Sequence, residues 1–424
     1  MSGATRSVRP GVGGILLRRR TRLVALLAVL GPGLLAGLSD DDPAGITTYS
    51  VLGARYGYRL LWVLAASTAA LVLFHDLGAR MGVVTGQGLV GLVRERFGVR
   101  RAALATTMLV LANIGTTAAE FAGVAAGAEL LGVSRVIAVP VAAVAVSALV
   151  LRGGFHRIEH VLLALSAVFV AYIGAGFLAH PDWSAVGRGL VVPSLPGSRD
   201  ALLVATATVG TTLAPWGLSF IQSYAVDKKL TEADLRYERI DVVVGATLTG
   251  VIGAFVVAAC AATLHVDGIR IDDAADAARA LEPLAGDLAA TLFALGLLGA
   301  AILAAAVLPL STAYSVSEFA GAEAALDDRA GDARLFSGTF LAVAGIGALI
   351  VLVPGMPLVP LLVLTQVLNA VLLLPLLVFM ALLARDRDLM GAFTAGRSAT
   401  VAYGIAIAVI GTCVVALGAL ALTG

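Results

Sequence analysis

The sequence predicts an all-α polytopic membrane protein, and three observations carry that reading. Of 424 residues 59% are hydrophobic and 13% charged, with a mean hydropathy of +0.96. A soluble domain carries about 25% charged residues, roughly twice this share. Apolar runs recur from Leu23 to Leu422, which excludes a soluble enzyme held by one membrane anchor. Basic residues gather in alternate connections between those runs, as the positive-inside rule requires of a multi-pass chain. The net charge of +1 leaves no basic stripe for nucleic acid. Cys260 and Cys413 both lie inside apolar runs, so the chain has neither a disulfide framework nor zinc-finger spacing. Only Lys228 and Lys229 are lysine, and with so much Ala, Gly and Arg this suggests a GC-rich bacterial genome, hence the bacterial plasma membrane.

A helix needs about 20 residues to cross a ~30 Å hydrocarbon core. An arginine-rich tail, residues 1–21, precedes the first span at 23–56. That start is not a signal peptide: no small-residue cleavage site follows, and the run leads into Ser39-Asp40-Asp41-Asp42. Spans at 58–76, 102–131, 135–151 and 159–179 complete a first block, residues 22–180. A second block, 181–390, holds spans at 200–226, 240–264, 288–318, 335–353 and 358–383. An eleventh span at 399–422 lies in the closing segment 391–424. Most of the 29 basic residues fall on one side if the N-terminus is cytoplasmic. Eleven spans then put the C-terminus outside the cell. Pairs such as Gly33/Gly37 and Gly123/Gly127 recur at the spacing that lets helices approach closely in lipid.

The first and sixth spans are interrupted. Asp40-Asp41-Asp42-Pro43-Ala44-Gly45 falls midway along the first, where a single carboxylate costs at least ~2.5–3.5 kcal/mol on insertion scales. Pro43 removes an amide proton and Gly45 tolerates unusual dihedrals, so an unwound segment is expected rather than a continuous helix. A solvated loop is the alternative, but it would spoil the charge alternation around Arg55 and Arg59. The second break, Gly210 to Gly217, repeats the pattern x-Pro-x-Gly with Pro215 and Gly217. Each break opens a block of five spans. Two broken helices in matching positions point to an inverted-repeat transporter with its site at the bilayer midplane. Unwound backbone frees carbonyls, which with a carboxylate are what a hard cation needs.

With these motifs in place, the chain resembles the Nramp family of divalent-metal transporters. The likeness rests on Gly31-Pro32-Gly33 before Asp42-Pro43-Ala44-Gly45, Arg55-Tyr56-Gly57-Tyr58, Gly82 to Gly86, Ala119-Glu120, Pro215 with Gln222-Ser223, and Thr365-Gln366-Val367 with Arg385 to Gly391. It implies a LeuT-like fold of two inverted five-helix repeats plus an eleventh helix. Three departures stand out. The family's Asp-Pro-Gly-Asn becomes Asp42-Pro43-Ala44-Gly45, so a coordinating amide is gone. Its Met-Pro-His becomes Ala214-Pro215-Trp216, so the thioether ligand and the histidine tied to proton movement are both missing. Its Asp-x-x-Glu becomes Thr117-x-x-Glu120, removing one carboxylate of the proton route. These departures are most similar to the Nramp-related magnesium transporter branch.

A thioether favours Mn²⁺, Fe²⁺ and later metals over Mg²⁺. Without it, a partly hydrated Mg²⁺ is the expected substrate, with Mn²⁺ beside it. The expected lining is Asp42 as the main charge, Asp41 if the unwound turn allows, carbonyls around Ala44, Gly45 and Ala214, and polar Thr211, Gln366 and Asn369. Gln366 and Asn369 share a helical face and could equally tie helices together. Glu120, with Thr117 and Trp216, is expected to be a structural remnant of the proton route. The ion is substrate; no cofactor and no obligatory protein partner is called for, and the lipid bilayer is the surrounding medium. Import without proton coupling is the leading expectation and a proton-coupled Mn²⁺/Fe²⁺ transporter the rival. An amino-acid transporter of the same fold fares worse, since Asp40 to Asp42 would repel a substrate carboxylate. An intramembrane enzyme lacks any paired catalytic motif. The histidines His75, His156, His160, His180 and His265 read as interface residues near span ends. The acidic connection from Asp267 to Glu282 could concentrate cations but reads as a solvated loop.

Overall fold

The computed structural model describes residues 40–152, 171–321 and 334–423. The N-terminal tail, the first half of the first span with Gly33 and Gly37, His156, His160 and most of the fifth span lie outside the described residues.

Helix α1 (Pro43–Tyr56) begins on a proline at its first turn, where the missing N–H would be unpaired anyway. Asp42 caps it, accepting from the Gly45 amide at 2.5 Å. Helix α2 (Leu61–Thr85) stops at Gly86, whose left-handed conformation (φ +65°) suits glycine. A short helix, α3 (Leu89–Phe97), precedes α4 (Val99–Leu130). Then come α5 (Arg135–Leu151), α6 (Ala171–Leu178) and a second short helix, α7 (Trp183–Val191). The sixth span is split into α8 (Arg199–Thr212) and α9 (Pro215–Asp227), again with proline opening the second half. The remaining long helices are α10 (Leu235–Ala262), α11 (Ala289–Ala320), α12 (Arg334–Val351), α13 (Leu358–Leu383) and α14 (Arg397–Thr423).

Among the described residues eight helical stretches are long and apolar enough to cross a membrane, and α5 is a shorter apolar helix. Both breaks are tighter than the sequence suggests, since helix resumes at Pro43 and at Pro215. One boundary needs correction. The second span does not end at residue 76 but continues to Thr85, because Arg239 of α10 pairs with Asp76 at 2.7 Å and lets the helix carry that charge.

Small residues set which helices lie inside. Gly53 of α1 meets the Val257 carbonyl of α10, and Gly253 of α10 meets the Tyr49 ring. Gly127 of α4 lies against Ala294 and Leu298 of α11, while Gly123 seats the Pro43 ring. Gly210 of α8 lets its backbone touch that of Gln366 and Ala370 in α13. A methyl at Gly210 would overlap the Gln366 carbonyl, so the contact requires glycine. The result is an all-helical bundle in which the broken sixth span is almost wholly buried and α14 is largely exposed.

Candidate functional site

Asp40, Asp41 and Asp42 are all at most 3% exposed, so the first break is a buried turn and not a solvated loop. Buried carboxylates are costly unless something pairs with them. Asp42 is engaged: it caps α1 through Gly45, and Glu120 of α4 approaches its carboxyl group. The carboxylate oxygens of Asp40 and Asp41 meet no hydrogen-bond donor among the described residues. Glu120 is buried completely, on the face of α4 that Gly123 presents to Pro43.

The two breaks meet at Gly45. A Cβ built there would stand 2.7 Å from the Asp40 carbonyl, 3.2 Å from Asp42 Oδ1 and 3.3 Å from Thr211 Oγ1. Three oxygens, two from the first break and one from the end of α8, therefore gather around one point. Tyr49 of α1 and Thr212 of α8 reinforce the junction with a 2.9 Å hydroxyl bond.

The other expected lining residues divide into two groups. Ala44, Ala214 and Trp216 lie in one apolar cluster with Ala119 and Phe220, so the two alanines can offer only backbone to an ion. Trp216 is buried there, its carbonyl accepting from Ser311 at 3.0 Å. Thr117 turns its methyl group toward Gly347 of α12. Gln366 and Asn369 form a polar knot with α4: Asn369 donates to Gln366 Oε1 and to Thr116 Oγ1, both at 2.9 Å. That knot sits at the Gly210 contact, one residue before Thr211. Pro43 and Pro215 open the helices that follow the two breaks, and Gly217 lies in the first turn of α9.

His75 departs from the sequence expectation. It is no interface residue but fully buried in the middle of α2, with neither ring nitrogen hydrogen-bonded among the described residues. Its Nε2 lies 3.1 Å from where a Cβ on Gly217 would stand, and Asp40 Oδ1 lies 3.9 Å from the same position. A histidine midway along an apolar helix is the available signal, obscured by the charge of Asp76 beside it. Among the described residues no three His, Cys, Asp or Glu side chains converge into a ready-made metal cage.

A cavity of about 400 Å³ runs in from the surface beside the connections that follow α4 and precede α11. Asp272, Asp273 and the Glu129–Arg135 ion pair line its mouth, and Thr47 lies on its wall. Thr47 is five residues beyond Asp42, about 7.5 Å along the helix at 1.5 Å per residue.

The Nramp family profile, described as natural resistance-associated macrophage protein-like, matches residues 33–420. A divalent metal cation transporter, MntH, of Deinococcus radiodurans is 33% identical over 405 residues, covering 91% of this chain and 88% of that one. The crystal structure of an Eremococcus coleocola manganese transporter, in complex with an aromatic bis-isothiourea compound, superposes with a TM-score of 0.76 at 21% identity. It covers 96% of this chain and 88% of its own. A transporter of the nucleobase-cation-symport-1 family in a closed conformation follows at a TM-score of 0.58 and 16% identity, over 92% and 91% of the two chains.

Proposed function

From the premise that the chain belongs to the Nramp family, and is thus a divalent metal cation transporter rather than an enzyme, we propose that it imports Mg²⁺ and also Mn²⁺, without proton coupling. It is a multi-pass protein of a bacterial membrane, and the ion is its substrate. The observation that carries the finer reading is the set of three oxygens nearest Gly45, from the Asp40 carbonyl, Asp42 and Thr211. Hard cations prefer oxygen, and Mg²⁺ keeps several of its waters while touching one or two carboxylates. The methyl groups of Ala44 and Ala214 face the Trp216 cluster, so neither position brings a soft donor. In this reading Asp42 and Asp41 hold the ion, carbonyls around Ala44, Gly45 and Ala214 and the Thr211 hydroxyl share it, and Gln366 and Asn369 line the path through water. On this reading the departures at Ala44, Ala214 and Trp216 are those of the magnesium-transporting branch of the family.

Residues 22–180 and 181–390 act as the two repeats, the N-terminus lies in the cytoplasm, and the acid-rich cavity above Thr47 is the outer entrance. Transport proceeds by rocking one helix group around the breaks. The membrane potential supplies about 2.3 kcal/mol per charge per 100 mV, and twice that for a divalent ion, so import needs no proton.

A proton-coupled Mn²⁺/Fe²⁺ transporter is the second reading, and the approach of Glu120 to Asp42 favours it, since two neighbouring carboxylates readily share a proton. Uptake by the purified protein in liposomes, with trapped Mg²⁺ and pH indicators, separates the two. Mg²⁺ entry without acidification supports the first reading. Saturable Mn²⁺ entry with acidification and no Mg²⁺ uptake establishes the second.

A further inference from the structure

We propose that His75 and Asp40 form a second cation station beside the breaks, one that takes Mn²⁺ and similar transition-metal ions in preference to Mg²⁺. The proposal rests on the reading of the first break as the cation site and assigns the selectivity of that site to a residue outside it.

Buried polar side chains are almost always hydrogen-bonded. His75 departs from that rule in the centre of α2, with no exposed surface and both ring nitrogens unbonded among the described residues. Asp40, 1% exposed, departs from it in the same place, with both carboxylate oxygens unbonded among the described residues. The two groups face one space. Nε2 of His75 and Oδ1 of Asp40 both lie within 4 Å of the point that a side chain on Gly217 would fill. Because residue 217 is glycine, no side chain of the first turn of α9 stands at that point.

Asp40 also joins this station to the oxygen cluster already described. Its backbone carbonyl is one of the three oxygens around Gly45, while its Oδ1 lies 3.9 Å from the Gly217 position that His75 also approaches. An ion that leaves the oxygen cluster can therefore pass to the imidazole without losing contact with residue 40. Neutral imidazole is a common ligand for transition metals, whereas Mg²⁺ favours oxygen and gives up its waters reluctantly. An imidazole with one carboxylate adds affinity for Mn²⁺ and little for Mg²⁺. Two side chains completed by waters also suit passage, since a transit site must release what it binds.

The test is Mn²⁺ and Mg²⁺ binding by calorimetry on the full-length protein in nanodiscs, comparing wild type, His75→Gln and Asp42→Asn. His75→Gln is expected to lower the Mn²⁺-to-Mg²⁺ affinity ratio at least tenfold. An unchanged ratio overturns the proposal. Asp42→Asn is expected to weaken both ions, and if it weakens neither while His75→Gln still shifts the ratio, it is the reading of the first break that fails. X-ray absorption of bound Co²⁺ gives a second readout. Outer-shell imidazole scattering is expected in wild type and reduced in His75→Gln, and identical spectra contradict the assignment. Should His75→Gln fail to fold, Gly217→Ala places a methyl group between the two ligands and is expected to lower the same ratio. No change in that variant counts against the station.

Discussion

Asp42 has two duties that one substitution can separate. Its side chain caps α1, and in the proposed mechanism its charge holds the ion. Asparagine caps a helix about as well as aspartate, while alanine costs about 1 kcal/mol at that position. Asp42→Asn is therefore expected to keep the melting temperature within a few degrees and to lower Mg²⁺ uptake into liposomes at least tenfold. Asp42→Ala is expected to lower both. A loss of stability in the asparagine variant equal to that in alanine would mean that the cap is not what Asp42 contributes to folding. The same scale shows where sequence reading stopped. Pro43, Pro215 and the acids between 40 and 42 announce a break by their own chemistry, so they were legible. His75 acquires its meaning only from Gly217, on a different helix, and no local pattern encodes that meeting.

At the scale of elements, most long apolar runs give their own lengths, α2 being the exception, while the short helices α3 and α7, of 9 residues each, carry too few positions to show a period. Helix α3 depends on Glu318 at the far end of α11. Its carboxylate accepts from the amides of Val90 and Gly91 at 3.2 and 3.4 Å and from Ser223 of α9 at 2.6 Å. Gln222 adds a bond to the Gln87 carbonyl at 2.9 Å, and Arg96 pairs with Asp386 beyond α13. The strap α3 is thus tied to the half-helix that follows the second break. Glu318→Ala removes the acceptor for two amides at the start of α3. Their hydrogen exchange is expected to speed up by about tenfold, in line with the ~1–3 kcal/mol that charge-assisted bonds contribute. Unchanged exchange across residues 89–97 would show that α3 is held by its apolar face alone.

For the whole molecule, the alternation of basic connections remains the basis for orientation, and it can be tested without reference to transport. Glu232 and Asp287 are exposed in connections that the charge pattern assigns to opposite sides. Cys260 is buried, and Cys413 lies within α14, so both natural thiols can be held apart from the readout by replacing Cys413. In intact cells a membrane-impermeant maleimide is expected to label Asp287→Cys and to spare Glu232→Cys until the membrane is opened. The reverse pattern would invert the topology and turn the acid-rich cavity toward the cytoplasm.

The nearly complete enclosure of the sixth span also bears on how the protein is made. Stretch 199–227 is the least apolar of the candidate spans, and Thr206, Thr208, Thr211 and Thr212 are covered by protein rather than lipid. Such a segment partitions weakly into hydrocarbon when it leaves the translocon alone. Its cover includes Gln366 and Ala370, which the ribosome supplies long after Gly210 has emerged. Integration of this span is therefore a late, cooperative event of biogenesis. A nascent chain that stalls before residue 366 lacks the partner surface that keeps its transport segment in the bilayer.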